Sequence, residues 1–290
     1  MRPLVDRKKV LFLTNDHFAQ WELRGAELYT TSPLYAPGHL GQHPQKLGGS
    51  PLDADNYGSK DLDKVDFIVT PGGRYQSQLP PNWKLARRTP SFLLYRRRGK
   101  TPVREPVEPP AVPGAVLDCR NPRVVRSLHA FPLGKHPRAG VLPRPVVRDS
   151  WIGSIAQPGK TASMRVRLPR GRWDVSLQYV STTGLEVRGP RLNEQIAPNY
   201  GIITAYRPGG TLTTDGRPFT FSVTARKRTW FGELLGAPYP SRAPLTPGNA
   251  PLWHVAFTRH GETPRRVSAR SACGRYVDWV APAGGRMRGR

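Results

Sequence analysis

The sequence predicts a mostly β, α+β protein: a small α/β unit followed by a jelly-roll-like β-sandwich. Three observations lead there. The 290 residues include 32 prolines and 29 glycines, and each of these breaks or caps regular helix. Short apolar or alternating runs of strand length recur along the chain between turn residues. Helical periodicity is confined to one stretch near the front and one turn at TWFGELLG.

Lys9 to Thr14 (KVLFLT) is a β-rich apolar run of the kind found in a buried strand. Asn15 and Asp16 are candidate helix caps, and HFAQWELRG places Phe18, Trp21 and Glu22 at helical spacing before Gly25. Glu27–Thr31 and the apolar VDFIVT, Val65–Thr70, complete a strand–helix–strand–loop–strand pattern with parallel neighbours. Trp83–Arg87 and Ser91–Arg97 then form a hairpin, which closes a first domain over residues 1–100. Residues 101–113 hold five prolines in thirteen positions, a composition that favours a polyproline II spacer. A second domain, 114–282, carries strand candidates at Ala115–Cys119, Val124–Ser127, Trp151–Ile155, Ser163–Leu168, Trp173–Ser181, Leu185–Val187, Ile202–Tyr206, Phe219–Ala225, Leu252–Thr258, Arg265–Ser271 and Tyr276–Val280. Two of them alternate cleanly. Trp173, Val175, Leu177 and Tyr179 share one face and Asp174, Ser176 and Gln178 the other; Phe219, Phe221, Val223 and Ala225 form a second apolar face. Many strands with one dry face describe a sandwich of the carbohydrate-binding-module type. Residues 283–290 form a basic tail.

The formal charge of +25 invites a nucleic-acid partner, yet the basic residues are scattered rather than gathered in one motif, which disfavours it. With 35 Arg against 10 Lys, coding bias is a sufficient cause. No apolar run reaches the ~20 residues of a membrane span. Behind the basic start, VLFLT is shorter than the roughly 7–15 apolar residues of a signal peptide. The two cysteines, Cys119 and Cys273, fall on the first and last strands of the predicted sandwich. A bridge there would close a loop of 154 residues, contributing roughly 5 kcal/mol in the chain-entropy model. Two buried free thiols are the alternative. A bridge requires an oxidising compartment, which fits an exported tail of a longer membrane protein.

The run VDFIVTPGGRYQSQLPPNWKLARRTPSFLLYRRRGKTP resembles the extracytoplasmic tails of large actinobacterial multi-pass membrane proteins of the GT-C glycosyltransferase kind. Phe67–Thr70, Tyr75, Pro80 to Leu85 and Leu93–Arg98 carry the similarity. PGAVLDC (Pro113 to Cys119), RLPRGRWDVSLQYVS and ACGRYVDW (Ala272 to Trp279) are similar to such tails too. The resemblance implies an extracytoplasmic, membrane-associated accessory region, with a membrane-embedded part of the same or a neighbouring protein as partner. The membrane helices and catalytic acids of that family are not in this sequence, so its activity does not carry over.

No catalytic residues are singled out, because HExxH, GxSxG, GxGxxG and GxxxxGK[ST] are all absent. No cofactor is expected. Asp53, Asp55 and Asp61 fall at three positions of a calcium loop, but Lys64 replaces its bidentate Glu, so a solvated acidic loop is the better reading. Trp151, Tyr200, Tyr206, Trp230 and Tyr239 lie near predicted loops or strand ends and are candidates for stacking on cell-wall glycan. For each of them, core packing is the competing role. The hairpin arginines Arg87, Arg88, Arg96, Arg97 and Arg98 form a basic surface for anionic lipid headgroups, or an edge guarded against strand pairing. Expected functions are thus an extracytoplasmic accessory region in contact with glycan, a stand-alone carbohydrate-binding module, or a basic nucleic-acid-binding protein.

Overall fold

The computed structural model describes residues 1–14, 17–29, 53–107, 113–121, 137–148, 154–156, 159–181, 183–199, 206–226 and 250–281. They form mainly β structure in four sheets. The first unit has strands β1 (Lys9–Phe12), β2 (Glu27–Tyr29), β3 (Phe67–Pro71), β4 (Trp83–Arg88) and β5 (Phe92–Arg97), in the order β2-β1-β3-β5-β4. β1 runs parallel to β2 and β3, and the β4–β5 hairpin adds antiparallel to β3. β3 is buried throughout because both faces are covered. Helices α1 (Arg2–Val5) and α2 (His17–Glu22) lie over Val10, Phe12, Phe67, Val69 and Leu94. Residues Ala54–Asn56 and helix α3 (Ser59–Leu62) lie over Leu11, Ile68 and Trp83. Trp21 differs from expectation: it is 60% exposed, with Arg24 stacked 4.8 Å from its ring. Leu23, just past the helix, takes the inward place.

Beyond the hairpin the chain lays down β6 (Glu105–Pro106), β7 (Ala115–Val116) and β8 (Arg138–Val141). It then forms the sandwich from β9 (Val146–Arg148), β10 (Ser154–Ala156), β11 (Thr161–Val166), β12 (Gly171–Tyr179), β13 (Leu185–Gly189), β14 (Leu192–Ile196), β15 (Arg207–Thr214), β16 (Phe219–Ala225) and β17 (Ala250–Arg259). It returns through β18 (Arg265–Ser268) and β19 (Tyr276–Ala281). One sandwich sheet has the order β10-β17-β12-β15, with β9 also on β17; the other is β11-β16-β13-β14. Between them lie Trp173, Val175, Leu177 and Tyr179 from one side and Phe221, Val223 and Ala225 from the other, residues that the alternation marks, together with Leu185 and Val187. Of the expected strands, Val124–Ser127 lies outside the described residues, as does most of Trp151–Ile155 and Ile202–Tyr206.

The cysteine strands belong elsewhere than expected. β7 and β19 pair with each other in a separate sheet, ordered β18-β8-β19-β6 with β7 also on β19. Its own small core contains Leu117, Ala139, Ala272 and Val277. This sheet is a neck through which the chain enters and leaves the sandwich. Cys119 and Cys273 form a disulfide across it, Cα atoms 5.6 Å apart. The described part of the spacer, residues 101–107, is docked as well. β6 pairs with β19, and the Thr101 N–H donates to Asp63 (2.8 Å). Backbone groups in search of partners thus outweigh the extended preference of the prolines.

β8 passes directly under Trp279. A Cβ on Gly140 would lie 2.5 Å from the indole, so only glycine lets these strands pair with the ring in place. In urea unfolding followed by tryptophan fluorescence, Gly140→Ala is expected to cost about 1–3 kcal/mol. Replacing both Cys119 and Cys273 with Ala is expected to cost about 2–5 kcal/mol; no loss in the double variant would show that the neck holds without its bridge.

Candidate functional site

The segment Gly72 to Leu79, just after β3, runs through the junction of the first unit, the sandwich and the neck. Its backbone donates to a side chain of each. The Tyr75 N–H bonds Ser176 Oγ on β12 at 3.2 Å. The Ser77 N–H bonds Asp53 at 2.6 Å, and the Gln78 N–H bonds Asp278 on β19 at 2.7 Å. Gly73 is required for this course, because a Cβ there would meet the Tyr206 carbonyl oxygen at 2.5 Å. The turn that follows VDFIVT is therefore shaped by close packing against the sandwich.

Above this segment lies a cleft of about 310 Å³. The first unit contributes Arg74, Trp83, Arg88 and Tyr95, the sandwich Thr258 and Arg259, the following turn Glu262, and the neck Tyr276. Strand register explains how Arg88 comes to the cleft. A bulge between Leu85 and Arg87 sets Arg88 opposite Leu93, on the face that carries Trp83 and Tyr95, while Arg87 falls opposite Leu94 on the other face. The guanidinium of Arg259 stacks 4.7 Å from the Trp173 ring and donates to the Arg170 carbonyl (2.9 Å). Arg74 approaches Asp174 at 3.6 Å; Asp174 in turn accepts from Thr211 and contacts His260, both at 2.8 Å. Three buried groups on residues that line the cleft have no hydrogen-bond partner among the described residues: Gln78 Nε2, Trp83 Nε1 and Thr258 Oγ1.

Beneath the segment, acids are collected out of water. Asp53, Asp55 and Asp278 are all buried. Arg104 pairs with Asp55 and also donates to the Gln78 carbonyl. Burial first, and the Asp55 charge second, push Asp53 up to about 6. Burial, with Asp55 and then Asp53 adding to it against Arg104, raises Asp278 well above the carboxylate range. Tyr276 donates to the Pro113 carbonyl at 2.7 Å and lies 3.4 Å from the Tyr75 hydroxyl; burial raises both phenols.

The candidates from sequence fare unevenly. Tyr206 is buried, edge-on to Tyr75 at a centroid distance of 4.6 Å, so it packs the junction and presents no sugar platform. Trp151, Tyr200, Trp230 and Tyr239 lie outside the described residues. The three calcium-loop acids diverge: Asp53 bonds backbone, Asp55 pairs with Arg104, and Asp61 pairs with Lys64. They are therefore not the solvated loop expected. No group of three or more His, Cys, Asp or Glu among the described residues is placed to hold a metal ion. The hairpin arginines split over two faces. Arg87 and Arg96 share one with Lys84, and Arg88 takes the other. Arg97 reaches back to the Val65 carbonyl (2.7 Å) and lies near Asp63 and Asp66; Arg98 is exposed. Sequence reasoning missed Arg74, Thr258, Arg259, Glu262 and Asp278. The one available signal was the PGGRYQSQLPPNW run, which supplies the cleft's floor and one wall.

Compared with known proteins, the chain matches no family model and no curated protein. No helix among the described residues is long and apolar enough to cross a membrane.

The raised acids set a direction for stability. Asp53 binds its proton more tightly folded than unfolded, so folding is favoured below the unfolded carboxylate pKa and loses stability as pH rises through about 6. Asp278 acts in the same sense. Asp278→Asn keeps an acceptor for the Gln78 N–H and removes the charge. In urea titrations from pH 4.5 to 7.5, the variant is expected to gain on the wild type with rising pH, by about 1–3 kcal/mol at the upper end. A constant difference would mean that Asp278 carries no titrating charge in this range.

Proposed function

We propose that this chain is a non-catalytic accessory region working outside the cytoplasm as part of a cell-envelope membrane protein, and that it holds a glycan at the three-sheet cleft. The observation that carries the reading is the Cys119–Cys273 disulfide. A bridge of this kind persists in oxidising compartments and is rare in reducing ones. The resemblance of VDFIVTPGGRYQSQLPPNWKLARRTPSFLLYRRRGKTP to glycosyltransferase-like tails supports the same place, since that run forms β3, the cleft floor and the hairpin. Mixed aromatic and polar linings suit sugars, whose rings offer both C–H faces and hydroxyl edges. Lys84, Arg87 and Arg96, gathered on the cleft-remote face of the hairpin, suit an anionic membrane surface, each basic residue contributing about 1 kcal/mol near it.

Peptide mapping of protein from native cells, without reductant, is expected to find Cys119 linked to Cys273 in the membrane fraction. Free thiols at both positions would overturn the extracytoplasmic reading. Recovery of bridged protein only from the soluble extracellular fraction would favour a stand-alone carbohydrate-binding module. In sedimentation with phosphatidylglycerol vesicles, the Arg87→Ala, Arg96→Ala pair is expected to weaken binding by about 2 kcal/mol, and unchanged sedimentation would remove the hairpin from the membrane contact.

A further inference from the structure

We propose that the cleft where the three sheets meet binds an anionic sugar, one that carries a carboxylate or a phosphate. The inference rests on the glycan-holding reading above and narrows it to a chemical class. Two arginines, Arg74 and Arg88, line the cleft beside the acid Glu262. Their roles differ. Arg74 is tethered near Asp174, whereas the Arg259 guanidinium, stacked on Trp173, lies on the opposite face of its sheet from Thr258. Arg88 has no acidic partner among the described residues. Both Arg88 and Arg74 lie close enough to Tyr95 for their charge to oppose the rise that burial imposes on its phenol, so both guanidinium groups converge on one wall. A planar guanidinium matches the two oxygens of a carboxylate or phosphate.

Unpartnered polar groups gather at the same place. Trp83 and Thr258 are each more than nine-tenths buried. Yet Trp83 Nε1, Thr258 Oγ1 and Gln78 Nε2 make no hydrogen bond among the described residues, although buried polar groups are ordinarily paired. All three come from residues lining this one cleft. Two of them, an indole N–H and an amide N–H, can only donate. The volume, about 310 Å³, is at the lower end of the ~300–1,000 Å³ of small-ligand sites and suits one or two rings.

The test is calorimetric titration of the full disulfide-bonded chain with digalacturonate, glucose 1-phosphate, a neutral disaccharide and inorganic phosphate. One of the two acidic sugars is expected to bind at least about tenfold more tightly than the neutral one, as one charge-assisted bond accounts for; which one binds tells carboxylate from phosphate. Arg88→Ala, at an exposed strand position, is expected to weaken the acidic sugar about tenfold, and Glu262→Gln to strengthen it about threefold, each with a smaller effect on the neutral sugar. Equal binding of neutral and acidic sugars, indifferent to both substitutions, would overturn the anionic class and leave the glycan reading intact. Inorganic phosphate binding as tightly as glucose 1-phosphate would mean an adventitious ion only and overturn the proposal. Binding of no saccharide at all would overturn both readings.

Discussion

Three side chains from three structural units, Ser176, Asp53 and Asp278, grip the backbone of one short segment, and the rest of the architecture is arranged around that grip. A backbone N–H buried away from water must find an acceptor. Here the acceptors for Tyr75, Ser77 and Gln78 come from the sandwich, the first unit and the neck in turn. The segment therefore joins three hydrophobic cores that do not merge. Around it, Arg207 of the sandwich inserts toward the first unit, donating to Thr14 Oγ1 at 3.2 Å and lying 5.5 Å from the Phe92 ring. Two of the three acceptors are carboxylates that burial makes reluctant to ionise. The junction thus gives up some stability at neutral pH in exchange for a fixed relation between the units.

That fixed relation is what gives the cleft its composition. No one sheet owns it. A hairpin bulge brings Arg88 to the cleft face, and a buried aspartate restrains Arg74. The first unit carries both arginines and the sandwich carries the aspartate, so their arrangement depends on the units staying in register.

Much of the sandwich core was legible in the sequence because alternation is a local property. Trp173 to Tyr179 and Phe219 to Ala225 announce their inward faces without reference to any other residue. The opposite face of β12 misleads, since Asp174, Ser176 and Gln178 read as solvent-facing yet are buried, Asp174 and Ser176 meeting Arg74 and the Tyr75 N–H of the first unit. Only a contact about a hundred residues distant in sequence explains them. β15 was hidden for another reason: its RPGG start reads as a turn, while Gly209 and Gly210 in fact let neighbouring side chains approach its backbone closely. The cysteines were correctly sensed as a pair near the ends of one unit. Assigning them to the sandwich rather than to the neck followed from having no local sign that β6, β7, β8, β18 and β19 form a sheet of their own. The cleft was least legible of all, because Thr258, Glu262 and Asp278 acquire their place only from tertiary packing.

The neck has a mechanical consequence. With Cys119 and Cys273 joined, the covalent path from the first unit to β19 runs through the sulfur atoms and bypasses the whole sandwich. Tension applied between the two ends of the described chain is borne by the neck strands and the disulfide. The sandwich hangs from this path as an unloaded pendant, and stretching the molecule leaves its core unstrained until the bridge is cut.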